Sequence, residues 1–221
     1  MDLFDILSDY KKAFGSGLIV TLKLCLVVWS LGLFFGIVFG TLSAKYYKTI
    51  GRLLRIAGFV LSGIPIIVLL FWLHYPLQAM LNITIEPFLT ASFALGIVNI
   101  IAVSEIVRNS ISEVPTQFIE AAKVCGINKG DTLLKIEFPL VVRGALPMIL
   151  TSQVNILHLT LFASLISVNE IFRVSQQINS LVYKPIEIYS ALGAFFLLIC
   201  LPLNGLAIYL KHKYTRDFSE R

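Results

Sequence analysis

The stretch EAAKVCGINKGDTLLKIEFPL, residues 120–140, lies between two runs apolar enough to cross a bilayer, yet it carries Glu120, Lys123, Lys129, Asp131, Lys135 and Glu137. Charge at that density does not stay in hydrocarbon, where a single ionised side chain at the centre costs about 2.5 kcal/mol or more. From 108 to 143 there is too little chain for a soluble domain, and Pro115, Gly126, Gly130 and Pro139 cut it into short pieces. Residues 116–125, TQFIEAAKVC, are good helix formers, and Gly126 directly after them suits a left-handed cap. Residues 128–138, NKGDTLLKIEF, read as a second short helix, with Asn128 or Asp131 as cap and Pro139 as its stop. The expectation is a polar two-helix elbow, a handle through which a soluble partner can move the flanking spans.

Working outward, the 221 residues are 57% hydrophobic and 14% charged, against roughly 25% charged in soluble domains. This is the composition of an all-α integral membrane protein with one membrane domain. Five runs are long enough to cross, near 17–43, 56–80, 87–107, 144–168 and 188–210, so the termini fall on opposite sides. One side collects Lys45, Lys48, Arg52 and Arg55, then Arg108, Lys123, Lys129, Lys135 and Arg143, then Lys211, Lys213, Arg216 and Arg221; the other has Lys11, Lys12, Arg173 and Lys184. Cytoplasmic loops carry the Lys and Arg excess, which predicts the N-terminus outside, the C-terminus in the cytoplasm and the elbow with it. The net charge of +5 is met by that basic face, with no nucleic acid needed. Residues 1–16 are expected to form an external amphipathic segment carrying Asp2, Asp5 and Asp9, without the basic start and short apolar core of a cleavable signal. Residues 17–221 form the membrane domain, with the elbow at 108–143.

Inside the spans, Gly32, Gly36 and Gly40 recur every four residues and share a face on which another helix, of this chain or of a second copy, can approach closely. The fourth run is the most polar. Thr151, Asn155 and His158 fall on one helical face, and Gln153, Thr160, Ser164 and Ser167 add to it. Polar groups at depth are kept beside water or a partner helix, so this run is expected to line a solute pathway, with Asn99 of the third run as the opposite wall. Cys25, Cys125 and Cys200 are dispersed and expected to be reduced, and His74, His158 and His212 have no metal-ligand spacing.

Glu120-Ala121-Ala122, three residues, Gly126, nine residues, Ile136 and then Pro139 resemble the EAA loop of ATP-binding-cassette importer permeases, with Phe138 where Leu is usual before the proline. Residues 17–26, 102–115 and 183–189 resemble segments of the polar amino acid branch of that family in the same order. The resemblance implies a type I importer fold of five membrane helices in a bacterial inner membrane. It also implies a second permease copy or sister subunit, two cytoplasmic ATPases that bind the ATP and Mg, and an external solute-binding protein. Glu120 would be the docking acid and Gly126 the turn, with Ala121 and Ala122 allowing close approach. No GxxxxGK[ST] loop is present, so no nucleotide cofactor is expected on this chain.

Departures from the branch concern the solute. Where relatives often carry Lys-Asp-Thr-Ser, this chain has His158-Leu159-Thr160-Leu161; where they carry Glu-Ala-Ala-Tyr it has Asn99-Ile100-Ile101-Ala102; and Ser62 stands in SGIP for an Arg. Either the solute differs from a charged amino acid or this is the non-binding half of a heterodimer. The competing reading, a stand-alone secondary transporter, wants a titratable coupling group at depth, a role for which His158 is almost the sole candidate.

Overall fold

A computed structural model describes residues 3–219. Among them every regular element is helical. A short helix α1 (Leu3–Asp9) leads into α2 (Lys11–Lys45), so the first long helix starts inside the expected external segment of residues 1–16. After a tight turn come α3 (Ile50–Ser62), α4 (Ile66–His74) and α5 (Pro76–Leu81), then α6 (Pro87–Ser112). The elbow follows as α7 (Thr116–Val124), α8 (Lys129–Thr132) and a π-helical turn (Leu133–Glu137), which runs into α9 (Phe138–Leu159) and a 3-10 stretch (Thr160–Ile166). The chain closes with α10 (Ile171–Val182) and α11 (Pro185–Ser219).

Among the described residues, four of these helical stretches are long and apolar enough to cross a membrane. The fifth expected span is not straight. Residues 50–62 and 66–81 meet at an angle of 95°, at the Gly63-Ile64-Pro65 break. Pro65 has no N–H to continue α3, and the backbone before a proline is pushed out of the helical region. With 13 residues, α3 is about 20 Å long, short of the roughly 30 Å hydrocarbon core. Beyond the bend, α4 and α5 are tied to α6 and the loop before it: Gln78 Nε2 donates to Thr90 Oγ1 (3.1 Å), Gln78 Oε1 accepts from Ile85 N (2.8 Å), and His74 Nδ1 lies 3.3 Å from Thr90 Oγ1.

The glycine stripe of α2 faces α6 of the same chain. A Cβ on Gly36 would lie 2.6 Å from Val103 Cβ, and one on Gly40 would lie 2.7 Å from Val107 Cβ and 2.8 Å from the Ser104 carbonyl; Gly32 faces Asn99. The helices therefore touch backbone to side chain, the closeness that small residues allow where no hydrophobic effect drives association. Asn99 is fully buried at this seam. Its Nδ2 donates to Val28 O (3.0 Å) and to Gln153 Oε1 (2.9 Å), while Gln153 Nε2 donates back to Asn99 Oδ1 (3.2 Å). Trp29 Nε1 donates to Gln153 O (3.1 Å), so α2, α6 and α9 share one buried polar knot.

A second seam joins α2 to α10. Thr21 Oγ1 accepts from Ile171 N (3.0 Å), and a Cβ on Gly17 would come within 3.1 Å of Ile171 Cα. Glu170, fully buried, caps α10 by accepting from Phe172 N (2.9 Å) and Arg173 N (2.7 Å). Burial pushes its carboxyl up to about 7, against the lowering pull of those amides and of Arg173. Ile6 of α1 is buried with Val174, Ile178 and Ile188, which fastens the N-terminal segment to α10 and α11.

Pro139 does not end a helix. The π turn before it passes Phe138 N–H to Leu133 O, five residues back, and the α-helix resumes with Pro139 in its first turn, where a missing N–H costs little. The second elbow helix and the fourth span are thus one continuous rod from Lys129 to Ile166.

Candidate functional site

The elbow is built by two local devices. At the end of α7, Gly126 has φ +73°, Gly126 N donates to Lys123 O (3.1 Å) and Ile127 N to Ala122 O (3.0 Å). These are the paired bonds of a Schellman ending, and only glycine adopts that backbone without strain. Two residues on, Asn128 caps α8: its Oδ1 accepts from Asp131 N (2.8 Å), and its Nδ2 donates to Asp131 Oδ2 (2.7 Å). Asp131 also pairs with Lys135 at 2.8 Å, one turn ahead.

Around these devices α7 is left open. Glu120 is exposed and, among the described residues, has no ion-pair partner; Ala121 is exposed, whereas Ala122 is buried. Val124, four residues beyond Glu120 and hence on the same face, is 88% exposed. An apolar side chain that bare on a polar elbow, beside an acid without an ion-pair partner, makes a small ridge that nothing among the described residues covers. Arg108, at the membrane end of the elbow, pairs with Glu105 at 3.1 Å and donates to Asn109 Oδ1 at 3.1 Å.

The polar residues of α9 divide into two sets. Thr151, Asn155 and His158 form an exposed stripe, with His158 Nε2 3.3 Å from Cys200 Sγ of α11 and Thr151 Oγ1 donating to Pro147 O (3.2 Å). Gln153 and Thr160 point into the bundle, Thr160 donating to Leu157 O (2.7 Å). Asn99 is likewise taken up by the polar knot, so Asn99 and Thr160 are not on the open face with the stripe. Sequence reasoning missed Gln153 as the partner of Asn99 and Glu170 as a cap. The second had a signal: Ile171, Val174, Ile178 and Val182 repeat at helical spacing right behind the acid.

The sequence profile of the family described as binding-protein-dependent transport system inner membrane component matches residues 32–216, most of the chain. The chain belongs to this family. It is therefore a multi-pass inner membrane component of a binding-protein-dependent transport system, its permease part and not its catalytic one. It is similar, at 27% identity over 95% of this chain and 96% of the relative, to the histidine/lysine/arginine/ornithine transport system permease protein HisQ of Salmonella typhimurium. It is also 28% identical to the probable glutamine ABC transporter permease protein GlnP of Bacillus subtilis, over 100% of this chain and 97% of that one. Among solved structures, an amino acid ABC transporter with histidines superposes with a TM-score of 0.84 at 23% identity, covering 96% of this chain and 99% of that one. An inward-facing methionine ABC transporter, MetNI, gives 0.69 at 18% identity over 91% and 98% of the two chains. These two establish the type I permease fold.

Proposed function

We propose that this chain is the permease of an ATP-driven importer of amino acids or closely related small polar solutes. It acts as a dimer with a second copy or a sister subunit and takes its drive from two cytoplasmic ATPases through the elbow. The ridge of Glu120 and Val124 on α7 carries this reading. An unpaired acid and a bare apolar side chain on one helical face are what a docking partner must find, and Gly126 and Asn128 hold that face at a fixed angle to α9. Because α8, the π turn and α9 form one rod, displacement at the elbow is delivered to the stripe of Thr151, Asn155 and His158, which faces the solute path. The amino acid class comes from the relatives, whose names specify basic amino acids and glutamine. The basic elbow lies in the cytoplasm and residues 1–16 outside, where the solute-binding protein docks.

Glu120→Lys tests this. The side chain is solvated, so reversal leaves insertion and melting temperature unchanged while it opposes docking. Uptake into proteoliposomes and the ATPase activity stimulated by the binding protein should both fall to background; normal uptake in the inserted variant overturns the assignment of α7.

A further inference from the structure

The turn from α2 into α3 has a property that the elbow and the pathway do not use. Between Asp9 and Glu86 the sequence holds no acidic residue, yet Lys45, Lys48, Arg52 and Arg55 crowd into eleven positions, and all four are exposed. The nearest acid on the neighbouring helix, Glu105, is already paired with Arg108. Arg55 is fixed, with Nε donating to Gly51 O (3.1 Å), Nη1 donating to Tyr47 Oη (2.9 Å) and the guanidinium 4.3 Å over the Tyr47 ring. Among the described residues it has no carboxylate partner. Between this fixed Arg55 and the end of α6 lies an open notch of about 460 Å³, lined by Ala44, Tyr47, Arg55, Arg108, Asn109 and Ser112, with Ile111 at its floor.

We propose that this notch binds the phosphate headgroup of an anionic phospholipid at the membrane boundary. The Arg55 guanidinium, pre-oriented by an aromatic ring and a backbone carbonyl and without a carboxylate partner among the described residues, offers a phosphate oxygen a charge-assisted donor. The surplus of unpaired cations selects a headgroup with net negative charge over a zwitterionic one. A bilayer fits better than a water-soluble partner because of what adjoins the notch. Leu53, Ile56, Phe59 and Val60 are exposed on α3, Phe59 by 80%, and continue the apolar outer surface of the spans. Tyr46 and Tyr47 stand at the same level, as aromatic residues do at a membrane boundary. The proposal rests on the chain's being a membrane component and not on the role given to the elbow.

The test is native mass spectrometry of the full transporter, purified in detergent and offered equal amounts of phosphatidylglycerol and phosphatidylethanolamine. The wild type should retain the anionic lipid about fivefold more, the ratio expected of a cation worth about 1 kcal/mol at the surface. Arg55→Gln should bring the ratio close to one, whereas Arg55→Lys should keep part of it. Lys12→Gln, a charge change at the opposite end of α2, should leave it untouched. Melting temperature, followed while phosphatidylglycerol is titrated, should rise for the wild type and stay flat for Arg55→Gln, which separates lost binding from misfolding. Three results would overturn the proposal: no lipid preference in the wild type, a preference indifferent to Arg55, or the same stabilisation produced by inorganic phosphate alone. Protection of Arg55 only when the ATPase subunits are present, with no lipid preference, would assign the patch to a protein instead.

Discussion

Adding a single methyl group at Gly36 measures how tightly α2 and α6 are joined. The Cβ of Gly36→Ala would lie 2.6 Å from Val103 Cβ, 2.8 Å from Val103 Cγ1 and 3.1 Å from the Ile100 carbonyl oxygen. Carbon atoms rest about 3.5–4.0 Å apart, so the helices must separate by roughly 1 Å. Val103 is β-branched and stiff at χ1 in a helix, so it cannot turn aside. Overpacking of this kind costs about 1–3 kcal/mol. Separation also stretches the bond from Asn99 Nδ2 to Val28 O, now 3.0 Å, beyond hydrogen-bonding reach, for about another 1 kcal/mol. The expected loss is about 2–4 kcal/mol. Gly193→Ala is the matched control, since nothing lies within 4 Å of its added Cβ and helix propensity alone should make it neutral or up to about 1 kcal/mol more stable. Unfolding of the two variants in mixed micelles, followed by circular dichroism, reads the difference directly. If Gly36→Ala unfolds at the same point as Gly193→Ala, the close seam described here does not exist.

At Gly126 the cost should be purely conformational, because its added Cβ meets nothing within 4 Å while φ is +73°. Gly126→Val should lose co-purification with the ATPase subunits at a strain of about 1–2 kcal/mol, and Gly126→Asn should keep part of it; equal behaviour would discredit the Schellman ending. In a background lacking Cys25, Cys125 and Cys200, cysteines at 151, 155 and 158 should react with a water-soluble thiol reagent and one at Leu157, only 1% exposed, should not; the reverse pattern rejects the facing of α9. Glu170 gives a pH dependence. Its carboxyl lies at about 7 against an ordinary value of 4.5, so the folded protein holds this proton longer than the unfolded chain. The associated stabilisation is complete below the lower value and fades as pH rises through the upper one. Glu170→Gln should therefore flatten the fall in melting temperature between about pH 5 and about pH 8, and an unchanged slope would show that another group is responsible.

The sequence is most legible where the bilayer leaves the chain few choices. Long apolar runs have one stable form in lipid, so the existence of α2, α6, α9 and α11 was legible, although α2 starts before the expected 17, α9 closes before the expected 168 and α11 runs past the expected 210. Gly126 was legible because the left-handed backbone admits few alternatives. Hydropathy carries no direction, however, and 56–80 read as one straight span although Gly63 and Pro65 mark the corner. Pro139 looked like a stop because a shift to five-residue hydrogen bonding leaves no trace in composition. Asn99 looked like a pathway residue because an intramembrane amide signals only that it needs a partner. Which of water, solute or Gln153 fills that need depends on how α6 and α9 are rotated, a tertiary property that spacing within one helix does not contain.

The polar knot at Asn99 also orders the chain's birth. Gln153 follows Asn99 by 54 residues, which at roughly 5–20 residues per second leaves the α6 amide without that partner for about 3–11 s of synthesis. One of its three bonds is met at once, since Val28 O is already made and α2 is waiting in the membrane. Its carbonyl oxygen has no such early partner, and only Gln153 Nε2 closes the set. A nascent hairpin of α2 and α6 therefore stands in the lipid with one N–H and one lone pair of Asn99 unsatisfied and a vacancy shaped for α9. The arrival of the third helix is directed to that vacancy by the same amide that would otherwise penalise the first two for inserting early.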